Sequence, residues 1–219
     1  MSIEVNAQID PSPAQRRRLK VRQMILKAAD RVFARDGEAG LSIRRLADEI
    51  DYSPGAIYQY FDSKQELLEE LKEMFFERLL EELPTFKGKT KDYSAFARSS
   101  LETYMRLALE APHHYEAAFS GQGMHVPAHL DASATSAKER AFLRLYDMIE
   151  GGVECGAFAP VQDVSQIAKS IWAACHGLVV LMIHIPDFDG AFGNEVSKET
   201  SPEAVMARHA DFLVRGVSV

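Results

Sequence analysis

Metal-ligating side chains gather in one stretch of this chain. His113, His114 and Glu116 lie together, and His125 and His129 follow at a spacing of four. On a regular helix two histidines at i, i+4 share a face and, with a carboxylate, can hold zinc. Here Pro127 stands between them and Gly121 and Gly123 precede them, so a regular helix is not expected and the spacing loses its meaning. Cys155 and Cys175 fall in no metal-ligand pattern and read as reduced core thiols. No glycine-rich phosphate loop, strand-borne nucleophile or paired-carboxylate signature occurs. A metal-dependent helical enzyme is therefore the weaker reading, and neither a cofactor nor a resident metal is expected. The other chemistry-bearing stretch is basic: Arg16, Arg17, Arg18, Lys20 and Arg22. It reads either as a solvated helix start or as an arm lying along a nucleic-acid backbone or in its minor groove.

Charge favours a nucleic-acid partner only locally. The net charge is -7, but residues 14–64 carry 11 Lys/Arg against 7 Asp/Glu, while the rest carries 14 against 25. A local basic surface is enough to neutralise phosphates. With 47% hydrophobic residues, the 219-residue chain can bury a core without staples. Residues 1–10 lack the apolar run of a signal peptide. The longest apolar stretch, Ile171 to Ile183, is short for a bilayer span and contains His176. A cytoplasmic protein without membrane association is expected.

The elements that must position these groups are helical. Val21, Ile25, Ala28 and Val32 mark one buried stripe, and Gly37 and Gly40 end that helix. Ser42 is an N-cap, followed by Ile43, Leu46, Ala47 and Ile50 at i, i+3, i+4, i+7. After a break at Asp51-Tyr52-Ser53, Ser53 caps a short helix with Pro54 at its first position and Ile57 and Phe61 on its buried side. Asp62 breaks that helix, and Ser63-Lys64-Gln65-Glu66 has the form of a capping box opening a helix to about Glu82. Further helices are predicted over 91–110, 112–120, 134–154, 163–184 and 202–216, with loops at 84–90, 121–133 and 186–201. The fold class is all-α: a mobile arm over 1–15, a helix-turn-helix domain over 16–66 and a larger helical domain over 67–219. In a helix-turn-helix the second helix enters the major groove.

The segment from Leu41 to Leu68, with Ile57-Tyr58-Gln59-Tyr60-Phe61 followed by Ser63-Lys64-Gln65-Glu66-Leu67-Leu68, closely resembles the DNA-binding domain of TetR-family transcriptional regulators over roughly residues 18–70. The resemblance implies a non-enzymatic homodimer, commonly a repressor, with double-stranded operator DNA and a small-molecule effector as partners. Carried across, Ser42 caps its helix and touches a phosphate, and Arg44 occupies the position that can reach a base, where a guanidinium suits guanine. Pro54, Gly55, Ala56 and Gln59 form the exposed start of the recognition helix. Gly55 and Ala56 allow close approach, and Gln59 suits adenine. Tyr58 and Tyr60 offer hydroxyls to phosphates, against plain packing, and Lys64 clamps a phosphate. Asp51 departs from the family's usual glycine in the turn. It is expected at positive φ, which Asp tolerates better than most residues.

In the body, Trp172, His176 and Gly177 resemble one subgroup of the family marked by Trp-x-x-x-His-Gly. The last two helices are candidates for pairing across a two-fold axis, and close helix approach would explain Gly177 inside a helix. A ligand site is expected among Phe96, Tyr104, Met105, Phe119, Met124, Phe142, Tyr146, Trp172 and His176, although aromatic stripes at helical spacing more often simply pack. The remaining alternative is an architectural DNA binder with no effector.

Overall fold

The computed structural model describes residues 12–119, 136–185, 188 and 201–219. Within them the chain forms α1 (Pro13–Gly40), α2 (Ile43–Glu49), α3 (Pro54–Ile57), α4 (Lys64–Glu82), a 3-10 turn (Thr90–Asp92), α5 (Tyr93–Glu110), α6 (Pro112–Phe119), α7 (Ala137–Glu154), α8 (Val164–His184) and α9 (Pro202–Val217). The described residues contain no β-sheet; Phe158 and Ser218 form an isolated bridge. The fold class is all-α, as the periodicity implies. Two compact units divide the chain, Met1–Leu71 and Lys72–Val219.

In the first unit, α1 starts earlier than its apolar stripe suggests. Ser12 Oγ accepts from the Gln15 N–H at 3.3 Å, the Gln15 side chain accepts from the Ser12 N–H at 2.7 Å, and Pro13 occupies the first turn. Residues 13–15 thus belong to the helix and not to an arm. Pro13 stands at the helical position where its missing N–H is harmless. Gly37 (φ 64°, ψ -164°) is off helical dihedrals and kinks the last turn. The core joins Ile25, Ala28, Val32 and Phe33 of α1 to Leu46 and Ala47 of α2, then Ile57, Phe61, Leu67 and Leu71. The first two turns of α4 belong to this unit because Arg22 of α1 pairs with both Glu66 and Glu70.

In the second unit α5 packs against α6, α7, α8 and α9. Its buried face carries Tyr93, Ala97, Leu101, Met105 and Ala108. Ser136 and Glu139 form the capping box that starts α7. After α7 the chain reverses at Gly156 (φ 76°), and the Phe158 N–H returns to the Gly152 carbonyl at 2.9 Å. The Phe158 ring then lies directly over Gly152, where an added Cβ would sit 2.1 Å from a ring carbon. Gly152→Ala should therefore destabilise the protein by about 1–3 kcal/mol, the usual range for overpacking a filled core. A urea midpoint equal to that of the parent would show that Phe158 can move aside.

α8 is longer than the apolar run inside it. It is 21 residues long with mean hydropathy 1.5, enough by length and composition to cross a bilayer, yet only 22% of its apolar window is buried within the chain. Ala173, Leu181 and Ile185 are exposed along one side, and a Cβ on the intervening Gly177 would meet nothing within 4 Å. On α9, Phe212 is 73% exposed.

Candidate nucleic-acid interface and internal cavity

Hydroxyl caps set the helix-turn-helix. Ser42 Oγ accepts from the Arg45 N–H at 3.2 Å and opens α2. The Tyr52 N–H returns to the Ala47 carbonyl at 2.9 Å, closing α2 in a Schellman-type turn. Asp51 occupies the left-handed position of that turn, with φ 56°. Ser53 Oγ then accepts from the Ala56 N–H at 3.2 Å, with Pro54 at the first position of α3. The α-helix is a single turn, shorter than the pattern from Ile57 to Phe61 suggests. It continues as tighter turns, Gln59 N–H to Ala56 O at 3.3 Å and Tyr60 N–H to Ile57 O at 2.9 Å. One i, i+4 bond, Phe61 N–H to Ile57 O at 3.1 Å, survives and keeps both apolar side chains on the buried side.

Since Asp51 is in the left-handed region, Asp51→Gly should leave DNA binding intact and not lower the melting temperature. Relief of strain offsets the greater entropy of the unfolded chain, each about 1 kcal/mol or less for this residue type. A melting temperature lower by more than a few degrees would mean the Asp51 side chain holds the turn.

Ser42, Arg44, Pro54, Gly55, Tyr58 and Gln59 are exposed, Tyr58 to 51%, whereas Ala56, Tyr60 and Lys64 are half-buried. Two adjacent arginines are in different states. Arg45 donates to Asp36 at 2.7 Å and to the Gly40 carbonyl at 3.2 Å, while Arg44 has no hydrogen-bond or ion-pair partner among the described residues. Beside the Arg35 and Arg45 guanidiniums, the Asp36 carboxyl is held below the usual carboxylate range. Lys64 is more constrained than a simple phosphate clamp, since its ammonium donates to the Glu38 carbonyl at 2.9 Å. The capping box proposed at Ser63 is displaced by one residue. Ser63 Oγ accepts from the Glu66 N–H at 3.1 Å, but Glu66 accepts in turn from the Asp62 N–H at 2.6 Å. Part of the basic run has structural work. The Arg18 guanidinium donates to the Gln59 carbonyl at 3.0 Å and stands 5.5 Å over the Tyr60 ring, and Arg22 lies 4.5 Å over the Phe61 ring.

The second unit holds a half-open cavity of about 450 Å³. Of the side chains named from sequence, Phe96, Tyr104, Phe119, Phe142 and Trp172 line it. Met105 does not: it is fully buried in the helical core. Tyr146 does not either. Ala141, Leu145 and Met148 present the lining face of α7, and the Tyr146 hydroxyl donates to Glu150 at 3.2 Å. His176 lies behind the wall, and Met124 lies outside the described residues. Sequence reasoning missed Phe76 and Leu79 on α4, Phe86 in the following segment, Tyr93 on α5 and both cysteines. The α4 wall is braced from outside. Arg78 and Arg106 each bond both Glu82 and Glu110, at 2.6–2.8 Å, tying α4 to α5. The Arg106 guanidinium is the largest influence holding both carboxyls below their usual range.

A chain of hydrogen bonds runs from the cavity wall. Trp172 Nε1 donates to the Tyr104 hydroxyl at 3.1 Å, the Tyr104 and Tyr115 hydroxyls are 2.8 Å apart, and the Tyr115 hydroxyl is 2.6 Å from His176 Nδ1. Burial pushes the Tyr104 and Tyr115 hydroxyls above the ordinary tyrosine range, pushes the Cys175 thiol up to about 12 and lowers His176, so the chain is uncharged near neutral pH. Elsewhere Glu116 accepts from His184 at 3.1 Å and approaches His113 at 3.7 Å. The described residues hold no group of three donors able to bind a metal, and His125 and His129 lie outside them.

A capped helix-turn-helix with an exposed polar face, joined in one chain to a helical body around an aromatic cavity, defines a helix-turn-helix DNA-binding regulator. Residues 25–71 match the family model for bacterial regulatory proteins of the tetR family, and residues 97–209 match the tetracyclin repressor-like C-terminal domain. The chain belongs to the TetR family of transcriptional regulators, which bind DNA and are not enzymes. An uncharacterized HTH-type transcriptional regulator of Haemophilus influenzae is 37% identical over 71 residues, spanning 32% of this chain and 38% of that protein. The HTH-type transcriptional repressor KstR2 of Rhodococcus jostii is 27% identical over 150 residues, 65% of this chain and 70% of that protein. Among solved structures, RolR in complex with resorcinol superposes with a TM-score of 0.57 at 19% identity, covering 91% of this chain and 97% of that one, a likeness of fold.

Proposed function

We propose that the protein is a cytoplasmic, homodimeric repressor that holds a two-fold symmetric operator until a small, largely apolar effector occupies its cavity. The cavity carries this reading: about 450 Å³ walled by aromatic side chains is the size and character of a small-molecule site. RolR, of like fold, is a protein seen with resorcinol, a small aromatic molecule. An architectural DNA binder has no use for such a space. The effector can shift operator affinity only by its differential affinity for the two body conformations, the released one being that whose two heads no longer match the half-site spacing. Trp172 is the sole tryptophan and lines the cavity. Titrating small molecules against its emission and against operator release tests the reading. Release without a change in emission would place the effector elsewhere, and failure of a broad library to release DNA would favour the architectural alternative.

Dimerisation through α8 and α9 accounts for their exposed apolar surface and for the open space at Gly177. A bilayer accounts for it less well, because Lys169 and Ser170 are exposed on the same helix. At the DNA, Arg44 reads a base and Lys64 positions the backbone. Arg44→Ala should cost about 1–3 kcal/mol and relax preference at one position. Lys64→Ala should weaken all sequences alike and flatten the salt slope by about 0.9. Since Lys64 also ties the end of α1, its variant should melt slightly lower, whereas Arg44→Ala should not. If binding-site selection returned the same sequence profile from both variants, Arg44 would not be reading a base.

A further inference from the structure

The cavity's polar groups are not equivalent. Tyr93 has its proton committed to the Met148 carbonyl at 2.9 Å, and Ser100 to the Phe96 carbonyl at 3.0 Å. Thr85, Arg144 and Asp147 are exposed at the rim, the two charged ones of opposite sign and three residues apart on α7. Tyr104 differs. A hydroxyl offers one proton and two lone pairs. One lone pair takes the Trp172 N–H, a direction fixed because indole can only donate.

The rest of the chain can run in two ways. If neutral His176 accepts at Nδ1, Tyr115 donates to it, Tyr104 donates to Tyr115, and the second Tyr104 lone pair is unfilled. If Nδ1 carries the proton, His176 donates to Tyr115, Tyr115 donates to Tyr104, and the Tyr104 proton is unused. Either way the Tyr104 oxygen has one vacant hydrogen-bond position, an acceptor in the first case and a donor in the second. Of the four residues in the chain, Tyr104 and Trp172 line the cavity and Tyr115 and His176 do not.

We infer that Tyr104 is the polar anchor of the effector, and that the effector is a ring molecule with one neutral hydroxyl or carbonyl group. This rests on reading the cavity as the effector site. A hydroxyl or a carbonyl can each be met by one of the two chain directions. A carboxylate beside Tyr104 would lose its water with no buried cation among the described lining residues to replace it, which is unfavourable. Phe96, Phe119, Phe142 and Trp172 supply ring faces and edges for the apolar body.

Equilibrium dialysis of the full-length protein against naphthalene, 2-naphthol and 2-naphthoate tests this. The parent protein should bind 2-naphthol about five- to tenfold more tightly than naphthalene, the scale of one hydrogen bond, and 2-naphthoate less tightly than 2-naphthol. In Tyr104→Phe the naphthol-to-naphthalene ratio should fall to about one. In Tyr146→Phe, outside the cavity, it should persist. A ratio of about one in the parent, a ratio undiminished in Tyr104→Phe, or tightest binding of 2-naphthoate would overturn the anchor while leaving the cavity as the effector site. If none of the three bound and Trp172 emission stayed unmoved, the cavity itself would fail as a site for ring molecules, and the anchor with it.

Discussion

Phe212→Glu should leave a folded monomer whose operator affinity is lower by about 10²–10⁴-fold, the loss expected when two linked binding events become separate ones. Phe212 is 73% exposed, so the chain itself gains little from the ring and the variant should fold and melt normally. In the proposed dimer the same ring is buried against a second copy, and a carboxylate there must give up its water. Arg98 at 3.3 Å and Arg215 at 2.6 Å already bond Asp211, so neither is free to meet the new carboxylate. A single recognition helix reads only a few base pairs, so operator affinity depends on both half-sites being held at once. Sedimentation and operator titration on the same preparation decide the matter. A variant that still sediments as a dimer and binds with parental affinity removes this face of α9 from the interface.

Phe61→Ala should abolish operator binding through a different route. The ring is fully buried in the first unit. It packs beneath the Arg22 guanidinium, which is held by Glu66 and Glu70. Removing a buried phenyl ring typically costs about 3–5 kcal/mol, a large share of what a domain of this size has. Trp172 lies in the second unit, which gives the experiment its discrimination. Far-UV circular dichroism should show helix lost, while Trp172 emission stays that of the parent protein. Parental operator affinity at 25 °C would mean the recognition turn tolerates the hole.

The local grammar of the chain was legible. Ser42 and Ser53 cap where their types imply, Ser201 opens α9 by accepting from the Ala204 N–H at 3.3 Å, and Asp51 takes the positive φ that the turn requires. Errors of boundary came from competing signals. Ser12-Pro13-Ala14-Gln15 is both a proline-bearing stretch and a capping box, and the box prevails. The cavity was harder to read because its contacts are not local. The bond between Tyr115 and His176 joins residues 61 apart, and that between Trp172 and Tyr104 joins residues 68 apart, so neither leaves a periodic trace. Tyr115, the hub of that chain, is indistinguishable by pattern from a packing residue of a short helix. Met105 shows the converse: an adaptable side chain beside Tyr104 in sequence is turned about 100° round α5 and is fully buried in the core.

The two cysteines make this chain selectively addressable by covalent chemistry. Both lie on the cavity wall, but Cys175 is buried with its thiol pushed up to about 12, whereas Cys155 is half-buried. At pH 8 Cys175 stays almost wholly a thiol, and the thiolate is the form that attacks alkylating reagents. A maleimide-linked dye should therefore settle on Cys155 in the unmodified sequence, beside the space an effector would fill. The protein thereby comes with its own attachment point for an occupancy sensor, and bound effector should slow that labelling in proportion to how much of the wall it covers.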